Sequence, residues 1–437
     1  MRAEPIARFA QVESLDQEGR GIAHVEGKAI FITGALPGES VEYVPYQRKP
    51  NYELADTTRI LRASPSRVIP RCPHFGVCGG CSLQHMDLRA QVAAKQRILE
   101  DNLARIGKVR AQIMLSPILG PDWRYRYRAR LSARYVEKKS RQLLGFHERR
   151  SSFVADMGSC EVLPARISAL LEPLRELIGS LSIRERVPQV ELAIGDAVDV
   201  LVLRVLEAPQ SHDAEKLRSF AEQYKIQFFL QPGGPDTARA YYPQDAAVLQ
   251  YRIPDFDLTF PFHPTDFTQV NHDINRVLVR RALTLLDPQP GERIGDFFCG
   301  LGNFSLAIAR RGAQVLGIDG NARLALRAKE TALLNGVADQ CSFIDRDLFK
   351  ITEDEWKQIA PFDRLLLDPP RDGAMELVKA LGQMAPGRVV YVSCNPATLA
   401  RDAGVLVNVH GYQLSAAGVI NMFPHTSHVE SIAVFDR

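Results

Sequence analysis

The stretch RIGDFFCGLGNFSLAIARRG, residues 293–312, decides the fold. An apolar strand runs into a turn built on Gly300 and Gly302, and Asn303 opens a helical pattern behind it. Strand, small-residue turn and helix form the first crossover of a doubly wound parallel sheet, and such a turn lets a ligand approach backbone amides. The turn reads GxGNF and not GxGxxG, which points away from a nicotinamide dinucleotide. The next strand, AQVLGID (313–319), ends in Asp319, where an acid can hold both hydroxyls of a ribose. SFIDRD (342–347) ends a third strand near Asp347, within reach of an adenine edge.

Further along the same sheet, DRLLLDPPRDG (363–373) reads as a buried strand ending in Asp368, with Pro369 and Pro370 stiffening the loop. Arg371 follows where amino-group methyltransferases tend to place an aromatic, which argues against an exocyclic amine as target. RVVYVSCNPATLARD (388–402) puts Cys394 at the carboxyl end of the next strand, where ligands bind in this architecture. At that strand–helix junction a thiolate below the free value of about 8.5 is expected. A cysteine so placed suits methylation of a pyrimidine at C5. C5 is a poor nucleophile until a thiol adds at C6, and a base must then remove the C5 proton so that the thiol can leave. The segment FPHTSHVESIAVF (423–435) offers Glu430 as that base, near the start of a last strand.

Outside this region, RCPHFGVCGGC (71–81) carries Cys72, Cys78 and Cys81. Cys160, in MGSCEVL, is the best candidate for a fourth ligand, and four thiolates suit zinc or an iron–sulfur cluster. The C-x3-C-x2-C run of radical enzymes is absent. Residues 1–65 read as five short strands cut by glycines, a small closed barrel of OB-like type. LDQEGRGIAHVEGKAIFITGALPGE (15–39) resembles a TRAM domain, an RNA-binding barrel. Residues 66–265 are expected to form a central α+β domain, and 266–437 the α/β Rossmann-like domain. Leu88, Val92, Leu99, Leu103 and Ile106 fall on one helical face. In WRYRYRARL (123–131), Arg124, Arg126, Arg128 and Arg130 recur at period two, which on a strand places all four on one side for phosphates.

Of 437 residues, 46% are hydrophobic and 24% charged, enough for large cores without staples. The net charge of +3 excludes a strongly polyionic protein, so the eight Arg and two Lys within 123–150 form a local basic patch. Neither a membrane span nor a signal peptide is visible, so the expected place is the cytoplasm, with the cysteines serving metal or catalysis. A monomer is the expectation.

DFTQVN (266–271), DFFCGLGNF (296–304), LDPPR (367–371), SCNPATLARD (393–402) and FPHTSHVE (423–430) together resemble the bacterial RNA uracil-C5 methyltransferase family over nearly the whole chain. In that family the tRNA branch lacks both barrel and cysteine cluster, and a second branch has the cluster alone. This chain has both and resembles the branch that acts on 23S ribosomal RNA. The resemblance implies a [4Fe–4S] cluster on Cys72, Cys78, Cys81 and Cys160. It implies S-adenosylmethionine (SAM) contacts from Gln269, Phe298, Asn303, Asp319, Asp347 and Asp368. It implies Cys394 as nucleophile, Glu430 as proton acceptor, and a helix near 88–106 packed on the catalytic domain. A cytosine-C5 methyltransferase and a noncatalytic RNA-binding factor are the alternatives. Glu430 speaks against the first, and Cys394 beside an intact cofactor turn against the second.

Overall fold

The structure, a computed structural model, describes residues 7–437. Its largest sheet has eight strands in the order Cys341–Asp345, Gln314–Asp319, Arg293–Phe297, Arg364–Leu367, Arg388–Ser393, Glu430–Asp436, Gln413–Ile420, Ile113–Met114. The first five run parallel, and Glu430–Asp436 is antiparallel to both neighbours. The five parallel strands are close to continuous apolar runs because helices cover both faces of the sheet. Two buried cores flank it, one around Leu278, Phe304 and Leu366, the other around Phe297, Trp356 and Tyr391. All five parallel strands deliver their carboxyl ends to one edge. The glycine turn, Asp319, Asp368 and Cys394 therefore lie along a single rim.

The far edge of this sheet belongs to an early part of the chain. Helix Leu88–Asn102, capped by the Asp87 side chain, packs its Val92 and Leu99 into the core of Phe297 and Trp356. The same face buries Gln91, Lys95 and Asn102, polar positions that an apolar pattern does not reveal. A π turn at Leu103–Gly107 then rotates Ile106 out to solvent, so the expected stripe stops at Leu103. Gly107 lies against helix Pro396–Asn408, where a Cβ would sit 2.4 Å from the Ala400 carbonyl oxygen.

Preceding the catalytic sheet in the chain, a six-stranded sheet runs in the order Arg239–Tyr242, Gln227–Gln231, Asp199–Arg204, Gln189–Ile194, Arg128–Val136, Arg141–Gly145 around its own core. The hairpin Leu249–Ile253 and Leu258–Phe262 shares its core with helix His272–Leu286 of the catalytic domain. The amino-terminal sheet has six strands where the sequence suggests five. Arg8–Gln11 pairs with Ser40–Arg48 at one end of the sheet, and Ser14–Leu15 pairs with Gly21–Val25 at the other. The extra strand arises because one segment is split at Val12–Glu13, where Val12 bonds Glu39 and Glu13 bonds Ile22 through the backbone. Among the described residues, no helix is long and apolar enough to cross a membrane.

One local reading is corrected. The strand begins at Arg128, and Arg124 has a positive φ of 58°, so the four arginines do not share a strand face. Arg128 is drawn inward to the Asp266 carbonyl and to Glu191, which Arg130 also pairs at 2.6 Å. Within the strand Arg128 and Arg130 keep the alternation and share the face of buried Glu191, whose carboxylate needs their countercharge.

Candidate active site

Strands Arg388–Ser393 and Glu430–Asp436 pair antiparallel with Ser393 opposite Ser431. Cys394 directly follows Ser393 and Glu430 directly precedes Ser431, and the Glu430 charge is close enough to act on the Cys394 thiol. Asn395 caps helix Pro396–Asn408 by accepting from the Ala397 amide, and its Nδ2 donates to the Arg371 carbonyl at 3.0 Å. The nucleophile candidate is thus held between a strand end and a helix cap, tied to the Pro-Pro-Arg loop beside it. Glu430 is buried, 4% exposed. Burial, then the neighbouring Asp368, push its carboxyl well above the usual range, while Arg371 pulls it down.

Cys394 departs from expectation. Burial, with Glu430 and Asp368 behind it, pushes the thiol up to about 11, and the Arg371 charge only partly offsets this. Loss of water around the sulfur, to which the two carboxyl groups add, outweighs the favourable helix end. Asp368 is itself raised to about 7 by burial and by Asp296.

At the glycine turn, Phe298, Gly300 and Gly302 all have positive φ, of 63°, 56° and 83°. A Cβ on Gly300 would meet nothing within 4 Å, so the turn faces open space. The Gly300 amide donates to Asp319 Oδ2 at 2.9 Å, which fixes the strand-end carboxylate against the turn. Asn303 is locked by Asn275, with bonds of 2.9 and 3.0 Å, and by the Tyr251 hydroxyl at 3.1 Å. Gln269 is half-buried in a loop whose Asn271 caps helix His272–Leu286 and donates to the Met422 carbonyl. Asp347 is exposed, and its carboxylate accepts from the Phe349 amide and pairs with Lys350.

A rim offering an open glycine turn, a fixed strand-end acid, and a thiol opposite a carboxyl is equipped for covalent transfer onto a bound ring. Residues 87–437 match the family model of tRNA (uracil-5-)-methyltransferase. The chain belongs to this family. It is 61% identical to the 23S rRNA (uracil(1939)-C(5))-methyltransferase RlmD of Nitrosospira multiformis, over 98% of each chain. To the protein of the same name from Cupriavidus pinatubonensis it is 56% identical, over 98% of this chain and 95% of that one. Among solved structures it resembles Pyrococcus abyssi tRNA (uracil-54, C5)-methyltransferase in complex with S-adenosyl-L-homocysteine. The TM-score is 0.73 at 25% identity, over 98% of this chain and 100% of that one.

The part of the chain ahead of the uracil-5-methyltransferase match carries the three clustered cysteines. Cys72, Cys78, Cys81 and Cys160 line one cavity of about 220 Å³, together with Gly79, Gly80, Arg126 and His428. Among the described residues no His, Cys, Asp or Glu side chains are grouped closely enough to hold a metal ion. Burial pushes Cys81 up to about 11 and Cys160 to about 12. His428, given no part in the sequence reading, lines this cavity and also bonds Arg371 Nη2 through Nδ1 at 2.9 Å. It sits between the cysteines and the loop that faces Cys394. Its place two residues before Glu430 was the available signal.

Proposed function

We propose that this chain methylates C5 of a uridine in 23S ribosomal RNA. The observation that carries the chemistry is the closeness of Cys394, just past the end of its strand, to Glu430 at the start of the neighbouring antiparallel strand, on the rim that holds the glycine turn. The names of relatives matched over nearly their full lengths support the RNA class. Gln269, Phe298, Asn303, Asp319, Asp347 and Asp368 would hold SAM, whose sulfonium S–CH3 bond would break to supply the methyl group and leave S-adenosylhomocysteine. The residues do the rest. Cys394 sulfur bonds to C6 of the uracil, and the displaced electron pair makes C5 nucleophilic. C5 takes the methyl group. Glu430 accepts the C5 proton, the C5=C6 double bond re-forms, and the C6–S bond breaks to return the thiolate. Arg371, the cation beside Cys394 and Glu430, favours the ionised form of both.

The amino-terminal sheet is read as a TRAM-type barrel that contacts RNA, its two sheet ends being halves of one kinked segment. Arg124 and Arg126 are the freer of the four arginines for phosphate, since Arg128 and Arg130 already pair with Glu191. The four-cysteine cavity suits a [4Fe–4S] cluster by its donor set, four soft sulfurs around one space. Iron content and visible absorbance of the full chain, lost together in Cys78→Ser, test that assignment.

The test of the reaction is tritium release from C5-tritiated uridine in 23S RNA and tRNA transcripts, with and without SAM. Release from 23S RNA only, dependent on SAM and abolished in Cys394→Ala, is expected. Methyl transfer without tritium release would refute chemistry at C5.

A further inference from the structure

The carboxyl-terminal segment that leads to Glu430 is fastened at successive backbone carbonyls by residues from four distant parts of the chain. Asn271 Nδ2 donates to the Met422 carbonyl at 3.3 Å, and Lys95 Nζ to the Phe423 carbonyl at 2.9 Å. The Tyr125 hydroxyl donates to the Pro424 carbonyl at 2.9 Å, and the Ser82 and Leu83 amides both donate to the His425 carbonyl. The His425 amide donates in turn to Gln91 Oε1 at 2.8 Å, and its ring stacks on Trp123 with centroids 3.8 Å apart. His425 has a φ of 66°, a conformation that a non-glycine residue keeps only where its surroundings over-determine it.

Lys95 is the centre of this mount. It is 1% exposed, and its ammonium bonds both the Phe423 carbonyl and Asn421 Oδ1, each at 2.9 Å. Asn421 directly follows Ile420, which pairs with Glu430 across the terminal hairpin. Lys95 thus grips the strand end opposite the proton acceptor without reaching the pocket itself. A buried lysine is costly to the fold, and among the described residues the side-chain bonds of this one go to the hairpin connection. Burial lowers its pKa to about 7, in keeping with that cost.

We propose that Lys95 is a positioning residue for Glu430: by bonding Asn421 and the Phe423 carbonyl it holds the terminal hairpin so that the Glu430 carboxylate reaches the C5 proton. This rests on the uracil-C5 reading. It predicts a defect in one step. Thiol addition depends on Cys394 and methyl transfer on the glycine-turn end of the rim, whereas proton removal depends on where Glu430 stands.

The experiment is a single turnover of the full-length enzyme on C5-tritiated 23S RNA transcript with methyl-labelled SAM. Methyl incorporation, tritium release and detergent-resistant protein–RNA adduct are followed together. In Lys95→Met, methyl incorporation should stay near the wild-type rate while tritium release slows by about tenfold to a hundredfold. The methylated adduct should accumulate, since elimination waits on the proton. Asn421→Leu, which leaves the Phe423 bond in place, should shift the same ratio in the same direction by less, and it keeps the test decisive if Lys95→Met fails to fold. Equal slowing of both labels, or no change in their ratio, would overturn the proposal. Absence of tritium release from the wild type would instead overturn the uracil-C5 reading.

Discussion

Asp296 lies under the glycine turn, fully buried, and its behaviour with pH can be worked from its surroundings. Its Oδ2 accepts from the Ser305 hydroxyl, and its Oδ1 has no partner among the described residues. Burial, with the charge of Asp319 behind it, raises the carboxyl from 3.8 to about 7. In the unfolded chain the group is ionised well before pH 5.5, while in the fold it holds its proton to about 7. The stability it contributes is complete below the unfolded value and is lost as pH rises through the folded one. At roughly 1.4 kcal/mol per pH unit, the interval from about pH 5.5 to 7 removes roughly 2 kcal/mol. Asp296→Asn has no proton to lose, so its stability relative to wild type should improve by about 2 kcal/mol between about pH 5.5 and 7.5. Urea unfolding at both pH values measures this. The chain has two tryptophans, and in a Trp123→Phe background the signal comes from Trp356, buried in the catalytic core. A gap between mutant and wild type that does not change with pH would refute the reasoning.

The rate of adduct formation with RNA should rise about tenfold per pH unit from about pH 6 to 8.5, because the Cys394 thiol is pushed up to about 11 and its thiolate fraction grows in that proportion. Stopped-time trapping of the adduct measures it, and a flat profile would show that the resting thiol is already ionised. Gly317→Ala should destabilise the catalytic domain by about 1–3 kcal/mol. Its Cβ would lie 2.5 Å from Phe343 Cδ1 and 3.1 Å from Cys299 Sγ, and Phe343 is fully buried. A thermal-shift comparison checks this, and an unchanged midpoint would mean that Phe343 can move aside.

The catalytic sheet is legible in the sequence because its signals are local: a strand that runs into Gly300 and Gly302, acids at strand ends, and apolar runs without alternation. The Cys394–Glu430 pair is legible as chemistry, but its geometry depends on a strand register that no spacing reveals. What escaped the sequence is nonlocal. Gln91 and Lys95 look like solvent-facing positions on an amphipathic helix until the hairpin connection at 421–425 arrives to take their bonds. The alternating arginines of 123–131 look like one strand face, but the strand begins only at Arg128 and Arg124 sits at positive φ ahead of it. The helix end alone places the Cys394 thiol below its free value, whereas burial beneath the fold, with the Glu430 and Asp368 carboxyls adding to it, sets the opposite sign.

The bond between Lys95 and Asn421 spans 326 residues of chain. At about ten residues per second, the ribosome would finish helix Leu88–Asn102 roughly half a minute before its partner strands emerge. Throughout that wait the helix has no sheet to lie on. Gln91, Lys95 and Asn102 break up its apolar face and make it a poor template for a neighbouring nascent chain. A substitution that makes this face wholly apolar should therefore lower the yield of folded protein in the cell even where it leaves the completed fold intact.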